Sequence, residues 1–167
     1  INMVIYIYYL FLDIIQLFKQ LNYIQKKLID INYHIYGSPK YLEKNGFPKN
    51  ISDLNKHSFI SFGRGAPSPV YNPDWALKLG TKDNKKRKTV MKVNSVYGLL
   101  LAVQSGVGLA ALPDYITVNQ PNIVKVLPNI EGPITDAHFV YPQSMKNVAR
   151  VQAFRNFLYS KISEWEF

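Results

Sequence analysis

Between Val93 and Pro113 the hydrophobic pattern changes period twice, which predicts a strand, a helix and a second strand. Leu99, Leu100, Ala102 and Val103 supply one apolar helical face. Asn94 or Ser95 stands where a short side-chain oxygen can accept a free N–H at the helix start. Gly106 stands where a helix closes through a left-handed turn. Val107 to Leu112 is then a short apolar run of buried-strand character, stopped by Pro113.

The same reading extends along the chain. Tyr33 to Tyr36 predicts a short strand. Ser38 as N-cap, with Pro39 at the first helical position, starts a helix that runs to Asn45 and stops at Gly46. Asn50 or Ser52 opens a further helical turn through Asn55, and Phe59 to Phe62 reads as a strand. Gly63 to Pro69 is too rich in glycine and proline for regular structure and reads as a loop. Trp75 to Leu79 and Thr89 to Val93 have strand character, with turn residues Gly80, Asp83 and Asn84 between them. This predicts a β-hairpin with Lys82 to Lys88 at an exposed, mobile tip. Pro113 to Val118 suggests a helical turn, Gln120 to Asn122 a turn, and Ile123 to Leu127 an edge strand. Pro128 to Pro133 reads as a linker and Ala137 to Tyr141 as a strand. Val148, Val151, Phe154, Phe157, Leu158 and Ile162 recur at three- and four-residue spacing, giving a final amphipathic helix with a core-facing stripe. Strands alternating with helices imply an α/β fold.

The chain has 167 residues, enough for one domain or two small lobes with a real core. It has no cysteine, so neither a disulfide framework nor a thiolate zinc site can form. The net charge of +9 favours anionic partners, although a solvated basic face is the simpler account of it. The densest run, Lys82 to Lys88, contains no aromatic residue and so lacks the stacking platform of a single-strand binder. Ile1 to Phe18 is apolar except for Asn2, Asp13 and Gln16. Asp13 would be costly within a membrane span, and no small-residue cleavage site follows. A buried strand from Asn2 to Tyr8 is therefore the preferred reading, and no membrane partner is expected.

Candidate chemistry is sparse. His34, His57 and His138 have no metal-ligand spacing, and the eleven carboxylates form no evident acid–base pair. No Gly-x-Ser-x-Gly elbow, phosphate loop or dinucleotide fingerprint occurs. Catalysis, a metal and a cofactor are not expected. Ligand binding has better support. Asn94, Ser95 and Val96 would put side-chain and backbone donors at a helix mouth, a natural anion site at a strand end. Phe62 would supply an apolar wall, Gly63 close backbone approach, and Leu109 a further lining residue. An ordinary cap, a turn and core packing are the simpler uses of these residues. Arg64 could pair a carboxylate, although loop arginines are usually just solvated.

The helix start at Asn94 and Ser95, followed by GVGLAALP from Gly106 to Pro113, resembles the effector-binding domain of LysR-type transcriptional regulators. The run YGSPKYLEKNG from Tyr36 to Gly46 resembles that family's crossover between subdomains, and SFISFG from Ser58 to Gly63 its following strand. IVKVLP from Ile123 and HFVYP from His138 resemble the return path, and Val148 to Lys161 the closing helix. The resemblance implies a periplasmic-binding-protein-like (type 2) two-lobe fold. Residues 1–36 and 134–167 would form a partial first lobe, and 37–133 the second. Gly37, Ser38 and Pro133 would lie at the hinge. It further implies a cytoplasmic, homo-oligomeric regulator that takes a small anionic effector in the inter-lobe cleft. DNA would be bound only through an N-terminal winged helix-turn-helix domain absent from this chain. Where the family usually has Asp and then Arg in its first strand, this chain has Asn2 and Tyr6. Two other readings compete: an extracytoplasmic solute-binding protein of the same fold, and a basic module that holds nucleic acid directly through Lys82 to Lys88.

Overall fold

The computed structural model describes residues 22–63 and 74–165. The elements run β1 (Tyr23–Ile31), β2 (Tyr33–Gly37), α1 (Pro39–Asn45), a 3₁₀ segment (Ile51–Lys56), β3 (Phe59–Phe62), α2 (Trp75–Lys78), a 3₁₀ turn (Lys82–Asn84), β4 (Thr89–Val93), α3 (Val96–Gln104), β5 (Ala110–Pro113), a 3₁₀ turn (Asp114–Ile116), β6 (Val124–Val126), β7 (Thr135–Pro142), a 3₁₀ turn (Gln143–Met145) and α4 (Ala149–Ile162). The described residues fall into two units: one takes those up to Ile31 together with those from Thr135 onward, the other those within Asn32–Ile134.

In the first unit β1 and β7 pair antiparallel, from Tyr23 opposite Pro142 to Ile31 opposite Thr135, with a bulge between Lys27 and Ile29. α4 covers this pair. Val151, Phe139 and Tyr141 form the buried centre, joined by Ile24, Leu28, Val148, Phe154 and Leu158. The Phe139 and Phe154 rings meet edge to face at 5.9 Å. Phe157, assigned to the buried stripe from its spacing, is instead 54% exposed. β1 is an element the hydrophobic pattern does not reveal. The bulge inserts an extra residue into the strand, so its apolar positions lose their period of two.

In the second unit β2 is buried along its whole length, at the centre of an antiparallel sheet of order β5-β2-β6. Because alternate strand residues face opposite sides, β2 feeds two cores. Ile35 packs with Leu42, Leu54, Phe59, Trp75, Leu109 and Val126. Tyr36 packs with Ile60, Leu99, Leu100, Val103 and Leu112. The Ser38 cap on α1 is present, with Oγ accepting the Tyr41 N–H at 3.3 Å. Asn50 caps the next 3₁₀ segment in the same way, through Asp53 N–H at 3.1 Å. Among the described strands β6 lies at a sheet edge, as its alternation predicts.

The expected hairpin between Trp75 and Val93 does not form. Trp75, Ala76 and Leu77 are all buried and make the single helical turn α2, and β4 runs parallel to β3. Three consecutive buried apolar residues suit a helical turn inside a core; a half-exposed hairpin strand would bury only alternate ones. Gly132 makes room for the indole, since a Cβ there would lie 2.6 Å from both Trp75 Cζ2 and the Tyr33 carbonyl. Lys82 to Lys88 is correspondingly a strap laid against the core rather than a free tip. Arg87 holds it, donating to Asn55 Oδ1 at 2.9 Å and the Ala76 carbonyl at 3.0 Å, with its guanidinium 5.8 Å from the Phe59 ring centre.

The expected strand from Asn2 to Tyr8, and Arg64 to Pro69 of the loop, lie outside the described residues. Among those described, no helix is long and apolar enough to cross a membrane.

Candidate functional site

The parallel pair β3–β4 ends at Phe62 and Val93, and the Gly63 N–H extends its ladder by donating to the Val93 carbonyl at 2.8 Å. The chain then turns through Asn94 into α3. Ser95 is the cap: its backbone is extended, its Oγ accepts the Gly98 N–H at 3.3 Å, and its carbonyl accepts from Leu99 at 3.0 Å. Gly98 sets how closely the helix follows the strand, because a Cβ there would meet Val93 Cγ1 at 2.6 Å. The far end closes as expected, with Gly106 at φ +79° and its N–H on the Val103 carbonyl at 2.9 Å.

Five of the six predicted ligand residues therefore meet at one strand-end edge of the second unit. Asn94 and Ser95 are exposed, and Phe62, Gly63 and Val96 half-buried. The first turn of α3 carries no acidic side chain, so its partial positive charge is not offset locally. Gly63 has room for a Cβ at ordinary contact distance, 3.7 Å from the Val93 carbonyl group, so among the described residues nothing demands a glycine there. Leu109 is the exception. It is fully buried, bridges Phe59 and presses on Gly37, where a Cβ would lie 2.7 Å from Leu109 Cδ2. It is core, and a predicted lining role does not fit it. Gly37 and Ser38 lie inside the second unit, at the end of β2 and the cap of α1. The chain passes between units at Ile31–Asn32 and Ile134–Thr135, next to Pro133.

A second cluster has no counterpart in the sequence reading. The Asp114 carboxylate is buried and receives His34 Nδ1 at 2.9 Å, the Tyr36 hydroxyl at 2.9 Å and Lys125 Nζ at 3.1 Å. Thr117 Oγ1 lies 3.1 Å from the Tyr36 hydroxyl and 2.8 Å from the Asp114 carbonyl. Burial pushes the Tyr36 phenol far above its usual range, and the neighbouring Asp114 charge adds to this, so it remains a donor. The cluster ties β2, β6 and the end of β5 together through one carboxylate. The signal in the sequence was His34 and Tyr36 at i and i+2 on a buried strand, which forces two polar groups onto one face. Among the described residues no group of His, Asp and Glu is arranged to hold a metal ion.

A groove of about 800 Å³ runs between Phe47–Ser52 and Lys125–Ile130, and none of the predicted ligand residues lines it.

The LysR substrate binding domain model matches residues 14–162. The chain belongs to that family. A relative from Haemophilus influenzae, named an uncharacterized HTH-type transcriptional regulator, is 29% identical over 123 residues, which cover 71% of this chain. The match spans 41% of that relative, so the chain corresponds to less than half of its length. The regulatory domain of CrgA, a LysR-type transcriptional regulator from Neisseria meningitidis, is similar with a TM-score of 0.70 at 21% identity, over 84% of this chain and 69% of that one. The AphB regulatory domain from Vibrio vulnificus follows at 0.59 and 17%, covering 84% of this chain and 68% of its own. The effector domain of AmpR from Pseudomonas aeruginosa gives 0.61 and 18%, covering 85% and 66%. These likenesses establish the periplasmic-binding-protein-like type 2 fold. Within it, the LysR effector domain's strand end at Phe62 and helix start at Ser95 are built by separate segments that the β3–β4 ladder brings side by side.

Proposed function

We propose that this LysR domain is the sensing part of a transcriptional regulator and binds a small anionic metabolite against Phe62, Gly63, Asn94, Ser95 and Val96. These residues would line one side of the effector cleft that the family resemblance implies. The observation that supports this is the junction of two parallel strand ends with a serine-capped helix start whose first turn carries no acidic side chain. DNA recognition would belong to a separate domain of the whole regulator, and the regulator would act as a homo-oligomer. Effector binding changes the grip on DNA only through a different affinity for two arrangements of the protein. Family membership favours this reading over a solute-binding protein of a transporter.

The test is a thermal-shift and calorimetric screen of small carboxylates and phosphates, each paired with a neutral analogue. Anionic members should raise the melting temperature and their neutral partners should not. Ser95→Asp separates capping from ligand binding. Aspartate caps a helix as well as serine does, yet places a negative charge where the anion would sit. The variant should melt like the parent and lose the anionic ligand. Neutral ligands binding equally well, or unchanged anion binding by Ser95→Asp, would overturn the proposal.

A further inference from the structure

We propose that the strap from Thr81 to Lys88 is a contact surface for the phosphate backbone of duplex DNA. This stands apart from the effector reading, and either can fail without the other.

The strap is basic and held in place. Arg87 is its internal clamp, bonded to Asn55 and the Ala76 carbonyl, while its own N–H donates to the Leu77 carbonyl at 2.9 Å. Lys86 is paired with Asp74. At the near end, Thr81 Oγ1 donates to the Lys78 carbonyl at 2.7 Å, and Lys85 N–H to the Lys82 carbonyl at 3.1 Å. Gly80, at φ +66°, lies so close to Ile51 that a Cβ would come within 2.4 Å of its Cγ2.

These tethers use up Lys86 and Arg87 and leave Lys82, Lys85 and Lys88 exposed. Among the described residues no carboxylate forms an ion pair with any of these three; the strap's own acid is Asp83, also exposed. Three lysines on a pinned backbone form a cationic segment whose backbone ordering cost has already been met by folding. The composition of the strap selects the partner. From Thr81 to Lys88 it offers no aromatic residue for base stacking and no apolar residue to enter a bilayer. Point charges without stacking or insertion suit regularly spaced duplex phosphates, read without regard to sequence. The net charge of +9 would steer the encounter.

The experiment is fluorescence anisotropy of the full chain with a labelled mixed-sequence duplex, of about two helical turns, across a salt series. Binding should weaken steeply with salt. In Lys82→Gln/Lys85→Gln/Lys88→Gln the slope should flatten by about 0.9 for each lysine that engages a phosphate, and low-salt affinity should fall at least about tenfold. The control, Lys146→Gln/Arg150→Gln/Arg155→Gln on and beside α4, removes equal charge from the other unit and should keep most of the affinity. Circular dichroism should show both variants folded, because all the altered strap side chains are exposed. Equal losses in both variants would reduce the effect to bulk charge and overturn the proposal. So would absent duplex binding at low salt, or strap-dependent binding to phosphatidylserine vesicles without any to DNA.

Discussion

Removing the carboxylate of Asp114 would leave three donors stranded at once: His34, the Tyr36 hydroxyl and Lys125. Two of them are buried, and a buried polar group that loses its partner keeps its desolvation cost. Asp114→Ala should therefore destabilise the second unit by about 3 kcal/mol, read as a lower urea midpoint, with Asp114→Asn intermediate. His57 is a different case. It is buried against the Tyr41 ring at 5.7 Å, and among the described residues its Nδ1 has no hydrogen-bond partner. Burial holds its pKa below the ordinary 6.5; Lys56 adds to this and Asp53 opposes it. A depressed base is protonated more readily in the unfolded chain, so unfolding takes up a proton below pH 6.5. Stability should decline as the pH falls from 6.5 toward the lower folded value. His57→Phe, which keeps a ring against Tyr41, should flatten this part of the pH–stability curve measured by denaturant titration.

At the scale of elements, the β4–α3 junction makes two glycines testable against each other. Gly98→Ala would drive a methyl into Val93 Cγ1, at a cost of about 1–3 kcal/mol in thermal unfolding. Gly63→Ala has ordinary space and should leave stability within about 0.5 kcal/mol while weakening a ligand that approaches the backbone. Which elements were legible in the sequence follows from how local their causes are. α1 and α3 carry their own punctuation in Ser38, Pro39, Ser95 and Gly106, and their bounds could be read directly. β1 was illegible because its bulge destroys the alternation, and α2 because Trp75 is ordered by Gly132, far along the chain. The candidate site was partly legible for the same reason. Ser95 announces a cap locally, but whether Leu109 lines a surface or fills a core depends on β3 and α1, which its neighbours in sequence do not encode. The Asp114 cluster joins residues about eighty positions apart and left only the His34–Tyr36 spacing as a trace.

For the molecule as a whole, the arrangement of the chain crossings sets what can be separated. Ile31 stands directly opposite Thr135 in the β1–β7 ladder, and within the second unit the Gly132 N–H donates to the Tyr33 carbonyl at 2.8 Å. The two ends of Asn32–Ile134 are thus neighbours, and its two cores draw only on its own residues. Residues 32–134 expressed alone should unfold cooperatively in a thermal melt; a broad, non-cooperative transition would refute this. The same adjacency makes the second unit genetically portable. A segment whose start and finish lie a hydrogen bond apart can be spliced into a tight turn of an unrelated carrier without prying that carrier open. Inserted into a fluorescent or enzymatic reporter, it should fold there as an independent unit and leave the reporter's own signal intact.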